Sequence, residues 1–477
     1  MIGYIIGALI LAFVLIILIR TLNFKPKTVK NEPVLHIDVP KDLAAENLAE
    51  MIRCRTVSHL DPTLDDEEEF EKFVRLLPKL FPNVHKTCSP SRVGNRALLY
   101  RWQGKTDGDP TVFMAHYDVV SAEAEKWDKP PFDGIIEDGV LWGRGVIDTK
   151  GSLNAVLTAA ELLIKEGFVP ECDIWFAFAG DEEIGGHGAR DIVALFDEHG
   201  ITPALVLDEG GAVVNNVFPG VDKSTAVIGI AEKGMLNVEY SISGGGGHSS
   251  APAPHTPIGK LASACVRVEN KPFKYRITPP TKKMLDTIAP HSTFLYRMIF
   301  ANLWCFGPVL NLIGKKSGGQ LNAIVRTTLA FTQMEGSKGI NVIPPTAKMC
   351  SNSRILPGET VDSTLEHIKA AVNDDSVTVS VIGGHNPSSV SSTDCEGWYR
   401  LTAAVSSTWP DAIVSPYLMT ACSDARHWGV ISDKVYRFSP MRLTPEENAT
   451  VHGNNERLSV EKIAESVEFY VRLIKKS

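Results

Sequence analysis

The sequence predicts an α/β protein with a separate α+β domain in its middle and a hydrophobic helix in front. Three observations lead there. The runs TVFMA (111–115), DIWFAFA (173–179) and ALVL (204–207) are short apolar runs, the mark of strands buried on both faces. From about residue 41 such runs alternate with helical periods, as an α/β sheet requires. The first twenty residues, MIGYIIGALILAFVLIILIR, carry no charge between Ile2 and Ile19.

Taken in order, residues 1–20 read as a transmembrane anchor, because 18 helical residues reach ~27 Å against a bilayer core of ~30 Å. A cleaved signal peptide has a shorter apolar core and a small-residue cleavage site, and neither is evident. Arg20, Lys25, Lys27 and Lys30 follow the span, which by the positive-inside tendency would keep the body in the cytoplasm. A long domain crosses regardless of that bias, and Asn448-Ala449-Thr450 is a glycosylation sequon. A single-pass membrane protein is therefore expected, with its sidedness open. Residues 21–40 form a polar, proline-containing linker. Residues 41–227 hold the first part of the sheet domain, with a helix over 152–166 that starts near Ser152 and stops at Gly167.

The pattern changes after residue 228. MLNVEYSIS (235–243) alternates like a half-exposed antiparallel strand and runs into GGGGH. A second alternating segment (346–356), a helix-like stretch (362–373) and the strand VTVSVIG (377–383) complete an α+β domain over 228–386. Within it the insertion 271–338 contains STFLYRMIFANLWCFGPVLNLIG, more apolar than a surface excursion should be. Acyl-chain binding, packing in the domain core and membrane contact all fit that composition. Residues 387–477 return to the first domain and end in a helix that Ser459 can cap, with Val460, Ile463, Val467, Val471 and Ile474 at helical spacing.

Composition narrows the function. The 477 residues, 44% hydrophobic and 22% charged, suit two or three globular domains. A formal charge of −8 without a Lys/Arg cluster argues against nucleic acid as a partner. The eight cysteines stand singly with no C-x-x-C pair, which supports neither a cysteine zinc site nor a disulfide scaffold.

Each apolar strand delivers a charged or imidazole group where it ends. TVFMA leads to His116-Tyr117-Asp118, DIWFAFA through Gly180 to Asp181-Glu182-Glu183, and ALVL to Asp208-Glu209. Ligands of open α/β sheets sit beyond the carboxyl ends of the strands, so these groups should converge. A run of three carboxylates is ordinarily a solvated turn. Gathered with imidazole at a sheet rim, the same groups are costly unless a cation neutralises them. Histidine with carboxylates and no thiolate suits Zn²⁺ or a similar divalent ion. Asp148 in LWGRGVIDTKG (141–151) could bridge two ions, and VHGNNE (451–456) presents His452 before the last helix. Asp208 is preferred over Glu209 as the ligand.

In order along the chain, HYD (116–118), GRGVIDTKG (143–151), GDEEIGG (180–186), DEG (208–210), GGGGHSSAP (244–252) and VHGNNE resemble the motifs of a known family. It is the di-zinc metallopeptidase family of aminoacylase, carboxypeptidase S and succinyl-diaminopimelate desuccinylase. The resemblance covers roughly residues 45–475. It implies a central mixed sheet with helices on both faces, an inserted lid and dimerisation domain, and two Zn²⁺ per chain, with Co²⁺ or Mn²⁺ as alternatives. Carried over by position, it implies that Asp148 bridges the ions, that His116 and Asp208 complete one shell, and that Glu183 and His452 complete the other. Glu182 would be general base and acid, Asp118 would orient His116, and His248 would stabilise the tetrahedral intermediate, often from a partner subunit. Arg354 in SRILPGE, Asn341 and Ser423 would contact substrate.

One departure weakens the substrate-carboxylate site. Where many members carry a GGTD-like turn, this chain has TACSDARHW (420–428), which matches at Ser423 and Asp424 but lacks the leading glycines. The long insertion resembles carboxypeptidase S and the enzymes acting on N-fatty-acyl amino acids. The expected activity is hydrolysis of N-acyl amino acids, near equilibrium also running as condensation. The alternatives are an exopeptidase trimming dipeptides or short peptides with a free carboxylate, and an inactive membrane-tethered binding protein.

Overall fold

The computed structural model describes residues 1–26, 37–215 and 220–477. Most of the linker expected over 21–40 (residues 27–36) lies outside them. Eight strands form the central sheet, in the spatial order Ser89–Val93, Ala97–Trp102, Ile174–Ala179, Thr111–His116, Leu205–Val214, Val435–Leu443, Thr225–Glu232 and Ile413–Met419. The Thr111–His116 strand runs parallel to both Ile174–Ala179 and Leu205–Val214, so the three open on one rim. The sheet is mixed because strands such as Ala97–Trp102 pair antiparallel.

The apolar strands have a simple cause. Phe113 and Ala115 face a core completed by the helices Lys41–Ile52, Lys150–Lys165 and Val460–Ile474. Their alternate neighbours Val112 and Met114 face a second core with the helix Gly188–Glu198 and Trp428. Both faces are covered, so no polar alternation survives. Ser459 caps the last helix as its sequence position predicts, accepting the Lys462 amide at 3.4 Å. All eight cysteines are free.

A four-stranded antiparallel sheet lies in the middle of the chain, ordered Thr328–Glu335, Thr346–Ile355, Gly234–Ser243 and Thr378–His385. Burial alternates strictly along Gly234–Ser243. Leu236, Val238, Tyr240 and Ile242 form a core with the helices Pro257–Glu269 and Val361–Val372, whose first turn Thr360 and Ser363 close as a reciprocal cap.

The stretch 271–338 is more than one excursion. Its last part, Thr328–Glu335, is an edge strand of the four-stranded sheet. Its helix Pro279–Ile288 instead crosses to the central sheet, packing Met284, Leu285 and Ile288 with Ile413 of the outermost strand. That strand would otherwise present an open edge. Between these parts, the helices Phe294–Ala301 and Leu303–Ser317 meet at a 110° bend.

Sequence periodicity passes over Thr225–Glu232 and Val435–Leu443. The second of these carries Arg437 and Ser439 at buried positions, and Arg437 is satisfied by Glu232 at 3.1 Å with both side chains inaccessible. An ion pair from another strand makes a polar sequence a core strand. Phe176 sits at the sheet centre with no exposure. Phe176→Ala should therefore cost about 3–5 kcal/mol of stability, measured as the shift of the urea unfolding midpoint; a loss below about 1 kcal/mol would contradict the packing described.

Candidate metal centre

The three parallel strands deliver their terminal residues to one place. His116 is the last residue of its strand, Glu182 and Glu183 open a short turn after Ala179, and Glu209 lies within Leu205–Val214. The glycines around the acidic triplet have a steric reason. A side chain at Gly180 would collide with the Tyr117 ring, and one at Gly186 with the Asp181 carboxylate. Asp181 is itself occupied, accepting the amides of His187 and Gly188 at the start of the Gly188–Glu198 helix.

Asp118 ties two of these segments together. Its fully buried carboxylate accepts the Ser58 hydroxyl at 2.7 Å and the amides of Glu182 and Glu183 at 3.1 Å each. The His116 Nδ1 faces the Asp118 carbonyl at 2.9 Å and its carboxylate at 3.4 Å. With the proton placed on Nδ1 by these acceptors, the Nε2 lone pair is directed into the cluster. Thr149 adds a second link, its hydroxyl accepting the His116 amide at 3.0 Å and donating to the His116 carbonyl at 3.1 Å.

Asp148 stands between two imidazoles. Its Oδ1 is 3.0 Å from His116 Nε2, and its Oδ2 is 3.0 Å from His452 Nε2. His452 also faces Glu183 at 3.0 Å, and His116 faces Glu209 at 3.7 Å. His116, Asp148 and Glu183 can each offer a ligand atom within 4.8 Å of the others, as can His116, Glu182 and Glu209. A carboxylate with one oxygen toward each imidazole, flanked by further carboxylates, has the donor chemistry of a two-cation site with nitrogen and oxygen ligands. The electrostatics agree. Burial and the neighbouring Glu209 push the Glu182 carboxyl well up, and burial with Asp148 does the same to Glu209. Asp148 and Glu183 hold the His452 imidazole up at about 10. Anions so placed demand positive charge among them.

Asp208, expected as a ligand, is in neither group. Its Oδ2 accepts the Ala425 amide at 2.8 Å. Side chains alternate along a strand, so when Asp208 turns toward the 424–430 turn its neighbour Glu209 points to His116. Ser423, expected to touch substrate, has a partner inside the protein. It is wholly buried, and its amide and hydroxyl both donate to Glu232, at 3.3 and 3.1 Å. Arg354 lies on the four-stranded sheet and reaches the same loop, donating to Cys422 Sγ at 3.2 Å. Asn341 is exposed and receives the Ser249 amide on its carbonyl at 3.1 Å. His248 is exposed on the small two-stranded sheet with Val342, its Nδ1 2.8 Å from the Ser250 hydroxyl. These three stand outside the acidic groups that gather around His116.

Glu456 carries a role that the sequence motif contains but does not announce. Fully buried, it accepts the Arg144 guanidinium at 2.8 Å and the amides of Gly145, Ile147 and Asp148 at 2.9, 2.7 and 3.2 Å. It thereby shapes the loop presenting Asp148, four residues after His452 on its own segment. The only sequence signal was its place in VHGNNE. Glu456→Ala strands a buried guanidinium and three amides, so a destabilisation of about 3–5 kcal/mol is expected. The exposed Glu461→Ala should shift stability by less than about 0.5 kcal/mol in the same denaturation assay.

The model of peptidase family M20/M25/M40 matches residues 112–476. "Probable carboxypeptidase S-like 2" of Dictyostelium discoideum is 36% identical over all of this chain and 94% of its own length. "N-fatty-acyl-amino acid synthase/hydrolase PM20D1" of Xenopus tropicalis is 33% identical over all of this chain and 94% of that protein. Among solved structures, the M20 family metallo-carboxypeptidase Sso-CP2 from Sulfolobus solfataricus superposes with a TM-score of 0.66 at 16% identity, covering 91% of this chain and 98% of that one. The Bacillus subtilis YXEP protein, described as a dinuclear metal binding peptidase from the M20 family, gives 0.54 at 13% identity, with 91% and 98% covered. With the matched model spanning the rim residues from His116 to His452, the chain belongs to peptidase family M20/M25/M40 and is a metal-dependent hydrolase.

Proposed function

We propose that the chain hydrolyses the amide bond of N-acyl amino acids, including long-chain fatty acyl ones, at a pair of zinc ions. The observation that carries the metal half of this reading is Asp148, set 3.0 Å from each of two imidazoles. His116 and Glu209 would hold one ion, His452 and Glu183 the other, with Asp148 shared. Bound there, the ions supply Lewis acidity and bring the pKa of a coordinated water toward neutrality. Glu182, half-buried with Glu209, Asp118 and Asp424 around it, takes the proton of the attacking water and passes it to the leaving nitrogen. Asp118 keeps His116 in the tautomer that exposes Nε2.

The substrate half rests on a cavity of about 790 Å³ along the strand that carries Glu209. It begins at Gly210, next to Glu209, and passes Val214, Val221, Met284, Leu321 and Met419. A largely apolar cavity that starts one residue along the strand from Glu209 suits a hydrocarbon tail whose amide would lie at the metals. Similarity to the PM20D1 proteins, named for N-fatty-acyl amino acids, supports the same substrate. Similarity to carboxypeptidase S-like 2 favours a second reading, cleavage of short peptides beside a free carboxylate. Arg354 would be the cation that meets that carboxylate. His248 would act on the site of a second copy in a homodimer formed through the four-stranded sheet.

Turnover of a panel pairing short and long acyl groups with several amino acids, alongside dipeptides, separates the two readings. Long-chain acyl amino acids should have the highest kcat/KM, and a preference for dipeptides would overturn the choice. Chelation should abolish activity and Zn²⁺ restore it, with near-stoichiometric metal by elemental analysis. Glu182→Gln should lose turnover by at least ~10²-fold while keeping metal and fold. Glu209→Gln should lose bound metal and Asp208→Asn retain it, and the opposite result would return the ligand role to Asp208. His248→Ala should lower kcat by roughly 10²–10³. Mixing it with Glu182→Gln should recover part of the activity if the histidine acts across a dimer.

A further inference from the structure

The helix Ile2–Asn23 has a mean hydropathy of 3.1 over its most apolar window and is almost entirely exposed. Its second half nevertheless has a built seat. Asn302 Nδ2 donates to the Ile17 carbonyl at 3.3 Å and to the Thr21 hydroxyl at 3.2 Å, and both Asn302 and Thr21 are inaccessible. Arg20 Nε donates to the Ala301 carbonyl at 3.2 Å, and the rings of Phe13 and Trp304 meet edge-on at 5.6 Å. Asn302 is also the residue at which the chain turns through 110° between Phe294–Ala301 and Leu303–Ser317. Its Nδ2 also donates to the Met298 carbonyl at 2.9 Å, so one residue contacts both the elbow and the helix.

Around the elbow the surface is apolar. Phe294, Leu295, Trp304, Val309 and Leu312 are 46–65% exposed. No charged residue occurs between Arg297 and Lys315. Leaving such side chains in water forgoes the hydrophobic gain that covering them would bring.

We propose that the elbow 294–317 is embedded in the same phospholipid bilayer that the helix 2–23 crosses, as a second membrane element entering from one side. The seat makes the two inseparable, so the medium around residues 13–21 also surrounds the elbow. Phe13 lies ten residues, ~15 Å, before the end of the helix, so its contact places Trp304 deep in the hydrocarbon of a ~30 Å core. Lys25 beyond the helix, and Arg297 and Lys315 flanking the uncharged stretch, supply cations for the headgroups. One hydrophobic cluster runs from Phe24 through Phe300, Leu310 and Ile324 to Val221, Met284 and Tyr417, which line the cavity beside Gly210. A fatty acyl chain could thus pass from bilayer to cavity along apolar side chains. That passage rests on the proposed substrate, whereas the membrane seat does not.

Bromolipid quenching of tryptophan emission tests the seat without reference to turnover. The helix 2–23 has no tryptophan, and Trp304 is the only one of the chain's eight tryptophans among the exposed large hydrophobics. The full chain is reconstituted in vesicles of palmitoyl-oleoyl phosphatidylcholine, with or without dibrominated phosphatidylcholine. Bromination should lower the emission, and Trp304→Phe should remove most of that loss. Leu312→Glu, which places a charge on the elbow surface, should weaken the quenching while the helix keeps the protein on floating vesicles. No quenching, equal quenching in Trp304→Phe, or failure to float overturns the proposal; the first would mean that another protein surface, such as a second copy, covers the elbow.

Discussion

Asp148 faces an imidazole with each of its two oxygens, and the catalytic half of the fold is arranged around keeping it there. Burial alone would raise its carboxyl, but the two imidazoles outweigh burial and hold it well below the usual carboxylate range. The surrounding carboxylates of Glu182, Glu183 and Glu209 are anions that would otherwise repel one another. At 4 Å and an effective dielectric of 20, each like-charged pair costs about 4 kcal/mol. Such a rim is tolerable only with positive charge at its centre. Metal chemistry in this family follows from that electrostatic demand.

The groups that meet there come from distant segments, and buried carboxylates of a different kind bring them into register. Asp118 joins the end of one strand to the turn after its neighbour by accepting the amides of Glu182 and Glu183. Glu456 joins the C-terminal segment to the loop of Asp148 through Arg144 and three amides. Each takes several hydrogen bonds, the condition under which a buried charge is affordable. Positioning is thereby separated from chemistry: Asp118 and Glu456 are saturated by donors, while Glu182 and Glu209 keep free oxygens in a cluster that raises their affinity for protons.

The other half of the molecule follows a different physical rule. The insertion spends its apolar residues in three places: covering the outermost strand of the central sheet, completing the four-stranded sheet, and forming an elbow seated on the N-terminal helix. Composition alone left acyl-chain binding, core packing and membrane contact equally open, because leucine and phenylalanine serve all three. Only the placement of neighbours distinguishes a buried Met284 from an exposed Leu312.

Much of the fold is legible in the sequence. Strands buried on both faces have no polar alternation, so TVFMA, DIWFAFA and ALVL announced a covered sheet, and parallel pairing brings their ends to one rim. Period-two burial in MLNVEYSIS and the cap at Ser459 are local rules that local sequence obeys. What sequence could not decide is which of two adjacent carboxylates turns inward. Asp208 and Glu209 are chemically near-equivalent, and the choice belongs to the Ala425 amide, over two hundred residues away, which takes Asp208 and leaves Glu209 for His116. The partner of Ser423 is equally invisible to local pattern, since Glu232 lies on a strand that the periodicity does not reveal. The sequence determined which elements form and which chemistry gathers at their ends, because hydrophobic period and residue type are local. The tertiary structure decided which polar atoms are already satisfied, because a hydrogen-bond partner can come from anywhere in the chain.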